Sequence, residues 1–409
     1  MRFQNQISQW RSPVGTTASV VVAGDICPRK AEKEILDGKS PEIFRGVLPF
    51  LDSADLRVVQ WECVLGEFDT PIDKRGPNLQ VPAGCVQLMT AIHTDVALLA
   101  NNHVGDFGPA AALATKEVIE AKGIRTVGAG KDLDDAAKPL SLTVKGIPLV
   151  ILNFAEHEFG TADEGKAGTA GLDLWTNLEA IRKAKATGAV VLVALHGGHE
   201  QNPFPSPRMV DLFRAYTEAG ADMLWNCHTH CPEGVEVVNG KPIVYSPGNF
   251  YFPPVLDEFM KNWHTGYLTK FYFDAQGAYA MELLPYTQVP DAVKPLDAAG
   301  EQLFFDYMET LCAPLADRKS LNRKFDLWCG IGGFTYLACL EQYRPMPPWP
   351  QKWSDGDVVR RYLFFRNLFT CESHNDLLRR TLRLIEEYKY EDILKQTDEI
   401  KKLWDIPWM

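Results

Sequence analysis

Two histidines bracket one threonine in Asn226-Cys227-His228-Thr229-His230, directly after the apolar run Met223-Leu224-Trp225. On an extended backbone, residues two apart point to the same side, so both imidazoles would face one place. At the end of a buried strand such a pair can clamp a cation like Zn²⁺ or Mn²⁺. Unliganded loop histidines would read the same, and the motif alone does not choose between them. Four further polar groups close apolar runs in the same manner. Asp25 follows Val20-Val21-Val22-Ala23-Gly24, and Glu62 follows Val58-Val59-Gln60-Trp61. Asn101, Asn102 and His103 end the run from Val96 to Ala100, and His196, His199 and Glu200 end the run from Val190 to Leu195.

Unbroken apolar runs without polar alternation predict strands buried on both faces. Helical patterns lie between them, at Ala110 to Ala121 and at Met209 to Ala219, where Met209, Leu212, Phe213 and Tyr216 share a face. Strand and helix in alternation predict a layered α/β domain, with ligands beyond the carboxyl ends of the strands. Asp, Glu, Asn and His at five strand ends would then converge on a dinuclear metal site.

On these residues the chain resembles the capsule-synthesis CapA family, also described as poly-γ-glutamate synthesis proteins and related to calcineurin-like metallophosphatases. The matching motifs run from about Ser19 to Phe252 in the family's order. They are Gly24-Asp25, Trp61 to Leu65, Ala100-Asn101-Asn102-His103 with Asp106 and Gly108, and Gly128-Ala129-Gly130. His196 to Glu200, Ala219 to Asp222, His228-Thr229-His230 and Tyr245 to Phe250 complete the set. The resemblance implies a metallophosphatase-like layered β-sandwich flanked by helices. It also implies two divalent ions, with Asp25 and His230 on one, Asn102, His196 and His228 on the other, and Glu62 bridging. This donor mix suits Mn²⁺, Zn²⁺ or Fe²⁺. His103 resembles the imidazole that assists a leaving group, and Asp106 would hold its tautomer.

The implied activity is a dinuclear metal-dependent hydrolase in which a metal-bridging hydroxide attacks a phosphoester or a γ-glutamyl amide. The alternative is a non-catalytic assembly or polymer-binding factor in capsule or poly-γ-glutamate synthesis. A metal-dependent binding module whose tail recruits a partner is a third class. Two departures from the pattern touch the site: Cys27 stands where metallophosphatases carry a histidine, a conceivable thiolate substitute, and Cys227 replaces a glycine. Glu200, Arg208 and Asn249 are the candidate substrate contacts. Lys74 and Arg75 could also meet an anion, although for these basic residues a solvated surface is the simpler expectation. Asp25 has a duller reading as a helix cap, and Asn101 and Asn102 as turn formers.

The net charge of −11 argues against nucleic acid or an anionic membrane as the main partner, leaving an anionic small molecule or polymer as expected substrate. Nine cysteines without paired spacing do not form a disulfide framework. No run reaches signal-peptide or membrane-spanning length, so the expected location is cytoplasmic. The 409 residues allow a core domain over 1–290 and a helical region over 291–409, with a boundary near Pro285 to Pro295. Val235 to Tyr245 predicts a hairpin turning at Asn239-Gly240, and Tyr267 to Phe273 and Ala278 to Leu284 predict further strands. In the tail, Phe304 to Leu311, Val358 to Phe369, Asp376 to Tyr388 and Asp392 to Trp404 have helical spacing, interrupted at Pro345 to Pro350. Its many aromatics are expected to pack inward. Gly330-Ile331-Gly332-Gly333 is not a dinucleotide fingerprint, because its spacing and context are wrong.

Overall fold

In the computed structural model, which describes residues 6–253, 260–342 and 356–409, two β-sheets pack face to face. The first has nine strands among the described residues, and its central part is parallel. Ala18–Ile26 pairs with Leu56–Trp61, which pairs with Val96–Leu98 and so to Arg125–Val127. On the other side of Ala18–Ile26, Thr265–Asp274 and Gly277–Val289 continue the sheet in antiparallel sense. The second sheet has six strands, with Met223–Cys227, Val190–His196 and Ile147–Ala155 parallel at its centre. The predicted hairpin forms its edge, with Asn239 and Gly240 at φ 52° and 76°, as a primed turn requires.

Alternation explains why the apolar runs are unbroken. Val20 and Val22 face the second sheet, while Val21 and Ala23 face helices on the outer side. Leu192 and Ala194 point back across the sandwich, while Val191, Val193 and Leu195 meet helices Leu174–Ala186 and Pro207–Ala219. A strand covered on both faces has no position left for a polar residue until its end. The second of these helices starts at Ser206, whose hydroxyl accepts from the Met209 amide, and stops at Gly220, φ 121°.

The prolines near residue 290 do not end the sheet. Pro285 pairs with Tyr267 inside a strand, and Ala292–Pro295 folds back as a further strand, so the helical segment begins at Ala298. The spacing-based helices appear as Ala298–Cys312, Gly356–Thr370 and Glu372–Glu386, and the last stretch as the short Asp398–Lys401 with a 3₁₀ turn. The interruption at Pro345 to Pro350 lies outside the described residues.

One long helix escaped the periodicity, Arg318–Gln342. Its glycines are packing positions: a Cβ on Gly333 would sit 2.7 Å from the Thr381 side chain, and one on Gly330 2.9 Å from Ile393. Glycine's cost in a helix of about 1 kcal/mol is accepted here in return for close approach of neighbouring helices. The tail aromatics turn inward only in part, since Phe334, Phe369 and Tyr388 are exposed. Phe304, Tyr307 and Trp328 join the inter-sheet core, and the Trp404 and Trp408 indoles donate to the Gln201 carbonyl and the Thr265 hydroxyl. Among the described residues no helix is long and apolar enough to cross a membrane.

Candidate metal centre

The polar strand ends meet at one edge of the sandwich. Asp25, Glu62 and Asn102 come from the first sheet, and His196, His228 and His230 from the second. Asp25 is re-aimed by an irregularity in strand register between Ala23 and Asp25. Gly24 makes this possible, since a Cβ there would lie 2.0 Å from the Gly248 carbonyl oxygen. In the next loop the Asn101 carboxamide accepts from the amides of His103 and Val104 and donates to the Trp61 carbonyl at 2.6 Å. That ties the loop to the strand carrying Glu62 and turns Asn102 toward His196.

The His-x-His pair does not lie on extended backbone as expected. Its strand ends at Cys227, and His228 and His230 have φ of 102° and 57°, a region β-carbon-bearing residues rarely occupy. The loop is held there by its surroundings. The His228 amide donates to Asp25 Oδ2 at 3.0 Å, His230 Nδ1 meets Asn249 Oδ1 at 2.9 Å, and Trp263 lies over the His230 ring at 4.5 Å.

Around His196 Nε2 stand Asn102 Oδ1 at 2.9 Å, His228 Nδ1 at 3.0 Å and Glu62 Oε1 at 3.2 Å. Asp25, Glu62 and His230 form an adjacent group. Asp25 and Glu62 are fully buried, and Asp25 Oδ1 and both Glu62 carboxylate oxygens have no hydrogen-bond partner. Buried carboxylate oxygens with no donor are costly unless a cation fills the gap between them. The donor set therefore fits two divalent ions. Electrostatics agree: burial and neighbouring Glu62 push Asp25 up to about 6, and burial pushes His196 down to about 4 and His228 to about 3. Neutral imidazoles are the form that binds metal. At His230 burial opposes the charge, but Glu62, Glu200 and Asp25 outweigh it and raise its pKa.

Cys27 does not join the cluster; it is a buried free thiol beside that of Cys63. Cys227 does, with Sγ 3.2 Å from His196 Nδ1 and Asp25 nearby. His103 lies beside the centre, with Nδ1 2.7 Å from Asp106 Oδ2. Lys74 reaches the same pair, ion-paired with Asp106 and 3.2 Å from His103 Nδ1, its side chain only 4% exposed. The solvated-surface expectation for Lys74 is thus overturned, because the loop carrying it folds over His103. Nothing in its Pro- and Gly-rich stretch signals that.

Glu200 faces a cavity of about 300 Å³ shared with Asn102, His103 and His228. Asn249 contacts His230 rather than that space. Arg208 is not brought to the centre: it pairs with Glu156 and lies 3.6 Å from Asp376, facing a different cleft. His199 is buried, and its Nε2–H donates to the Ser373 carbonyl at 2.9 Å. The far wall of the cavity comes from the C-terminal helices, through Tyr336, Asn367 and His374. Sequence reasoning missed that wall, since no local pattern reports a contact made across hundreds of residues.

The molecule is thus a layered α/β protein with a buried carboxylate–imidazole cluster at the carboxyl ends of its strands. The chain belongs to the family described as bacterial capsule synthesis protein PGA_cap, whose match covers residues 19–254. It is 31% identical over 248 residues to the PGA biosynthesis protein CapA of Bacillus subtilis (strain 168), covering 57% of this chain and 63% of that one. The match thus spans less than two thirds of that relative's length. The capsule biosynthesis protein CapA of Bacillus anthracis is 27% identical over 69% of this chain and 70% of its own. Among solved structures, a 5'-nucleotidase precursor from Thermus thermophilus is similar with a TM-score of 0.42 and 14% identity, over 72% of this chain and 59% of that one.

Proposed function

We propose that the chain is a dinuclear metal-dependent hydrolase acting in capsule or poly-γ-glutamate metabolism, on a phosphoester or a γ-glutamyl amide. The observation that carries it is the set of three partnerless, buried carboxylate oxygens on Asp25 and Glu62, facing three imidazoles. Asp25 and His230 would hold one ion, Asn102, His196 and His228 the other, and Glu62 would lie between. When bound, Mn, Zn or Fe ions supply Lewis-acid activation of water and neutralise charge developing on the substrate.

The remaining work falls to the chain itself. Asp106 accepts from His103 Nδ1–H, which leaves Nε2 to hold or release the proton that a departing oxygen or nitrogen needs. Lys74 fixes the Asp106 carboxylate from its other oxygen and adds positive charge for an anionic group. The cavity walls limit water around the reacting bond.

The rival, a non-catalytic assembly or polymer-binding factor, draws support from relatives such as the probable polyglutamine synthesis accessory protein of Mycobacterium tuberculosis, 29% identical over 177 residues. The buried Lys74–Asp106–His103 arrangement speaks for the enzyme, because a scaffold has no use for an oriented imidazole beside the metals. Metal content of wild type against His228→Ala is the first test, followed by turnover of para-nitrophenyl phosphate and of a γ-glutamyl anilide. A loss of bound metal in the variant, with turnover lost in His103→Ala at full metal content, is expected. Metal content that is low and unchanged by His228→Ala would overturn the hydrolase.

A further inference from the structure

A second set of ligating side chains lies on the cavity wall away from the six residues above. Glu158 comes from the loop after the strand Ile147–Ala155, and Cys371 and His374 from the start of helix Glu372–Glu386. We propose that Glu158, Cys371 and His374 form a third cation site, of zinc type, joining the C-terminal helices to the core. The proposal does not rest on the dinuclear reading.

Geometry carries it. One ligand atom from each of the three lies within 4.8 Å of the others. His374 Nε2 is 3.4 Å from Glu158 Oε1, long for a hydrogen bond between them. Two donors each about 2.0–2.1 Å from one tetrahedral zinc stand about 3.3 Å apart, close to the separation observed. The Tyr336 hydroxyl lies 2.6 Å from His374 Nδ1. As acceptor of the Nδ1 proton, it leaves the Nε2 lone pair turned toward Glu158, the outer-shell orientation that ligating histidines generally have.

The third donor is suited to the task. Cys371 is 1% exposed at the N-cap position of a fifteen-residue helix, and burial with the Glu158 and Glu156 carboxylates keeps its thiol protonated until a cation takes the proton's place. Its sulfur lies 3.4 Å from the Ser373 hydroxyl and 4.0 Å from Glu156 Oε2. Binding Zn²⁺ displaces the thiol proton to solvent and leaves the sulfur's electron pair on the metal, with nothing oxidised or reduced. One carboxylate and one thiolate then balance the charge of the ion. Glu158 and His374 line the cavity shared with His103 and His228, so the fourth position opens toward substrate space.

The experiment is a Co²⁺ titration of chelator-treated full-length protein, read by the near-ultraviolet thiolate-to-cobalt charge-transfer band. The band is expected in wild type, in His228→Ala and in Cys227→Ser, and lost in Cys371→Ser. Tyr336→Phe, which removes only a hydroxyl, should weaken the affinity behind the band about 10–100-fold. No band in wild type at saturating Co²⁺ would overturn the site, leaving His374 and Glu158 as an ion pair beside a structural thiol. So would a band that survives Cys371→Ser and disappears in Cys227→Ser, since the sulfur would then belong to the main cluster. Wild-type affinity in Tyr336→Phe would overturn the assignment of His374 Nε2 as a ligand oriented by that hydroxyl. The hydrolase proposal fails separately, through metal content unchanged by His228→Ala.

Discussion

Asp25→Asn should have opposite effects on stability with and without metal. Burial and Glu62 raise the Asp25 carboxyl from its ordinary 3.8 to about 6. The folded protein therefore binds this proton more tightly than the unfolded chain does. Stability of the metal-free wild type falls as pH rises from about 4 to about 6, and the cost is complete above that. Roughly two pKa units at about 1.4 kcal/mol each give close to 3 kcal/mol. Asparagine keeps an oxygen for the His228 amide and removes the charge, so the metal-free variant should gain about 2–3 kcal/mol near pH 7.5, less what it loses in attraction to His230. Near pH 4 the two proteins should converge. Added Mn²⁺ or Zn²⁺ at a hundredfold excess over its dissociation constant stabilises wild type by about 2.7 kcal/mol and the variant far less. Urea unfolding at two pH values, with chelator and with metal, measures all four quantities. A metal-free variant less stable than wild type near pH 7.5 would refute the reasoning and make Asp25 an ordinary structural carboxylate.

Three further outcomes are expected. Lys74→Met should lower turnover about 10–100-fold with metal content unchanged, as kinetics and metal analysis on one preparation would show; unaltered kinetics would remove Lys74 from the site. Gly24→Ala should destabilise by about 1–3 kcal/mol in urea unfolding, because its Cβ would strike the Gly248 carbonyl; wild-type stability would mean that the approach relaxes freely. Arg11, ion-paired with Asp274 at 2.7 Å, is the main cause holding that carboxyl down at about 2. Its contribution is present above about pH 4 and lost as pH falls through 2; because the Val14 and Gln276 amides share in it and solvent screens the pair, Arg11→Met should show a deficit of about 1 kcal/mol near pH 6 that closes below pH 2. A deficit constant across that range would point to lost packing instead.

The strands and the cluster were legible because both are local signals. A run such as Val190 to Leu195 has to be covered on both faces, and its polar end can only lie at the rim. The helix Arg318–Gln342 was not legible, because its glycines look like breakers until the side chains of Thr381 and Ile393 are seen filling the space beside them. The proline stretch misled for a related reason, since Pro285 is tolerated within a strand that periodicity would have ended. Lys74, Glu158 and His374 reach the cavity by tertiary contact alone. Cys227 was visible as a departure from the family pattern, yet the thiol expected near the metals was Cys27, one position that the chain turns toward Cys63.

Drawn equally from the two sheets, the six proposed ligands would make a bound pair of ions a rivet through the rim of the sandwich. Below it the interior is sealed by Val20, Val22, Leu192 and Ala194, which need no ion to stay together. Withdrawing the ions should therefore let the plates part only at the rim, where Asp25 and Glu62 would repel each other. Amide exchange should quicken in residues 101–106 and 228–231 and stay slow in the middle of Ala18–Ile26 and Val190–His196. Metal supply would then set how readily the mouth of the cavity gapes while leaving the fold intact.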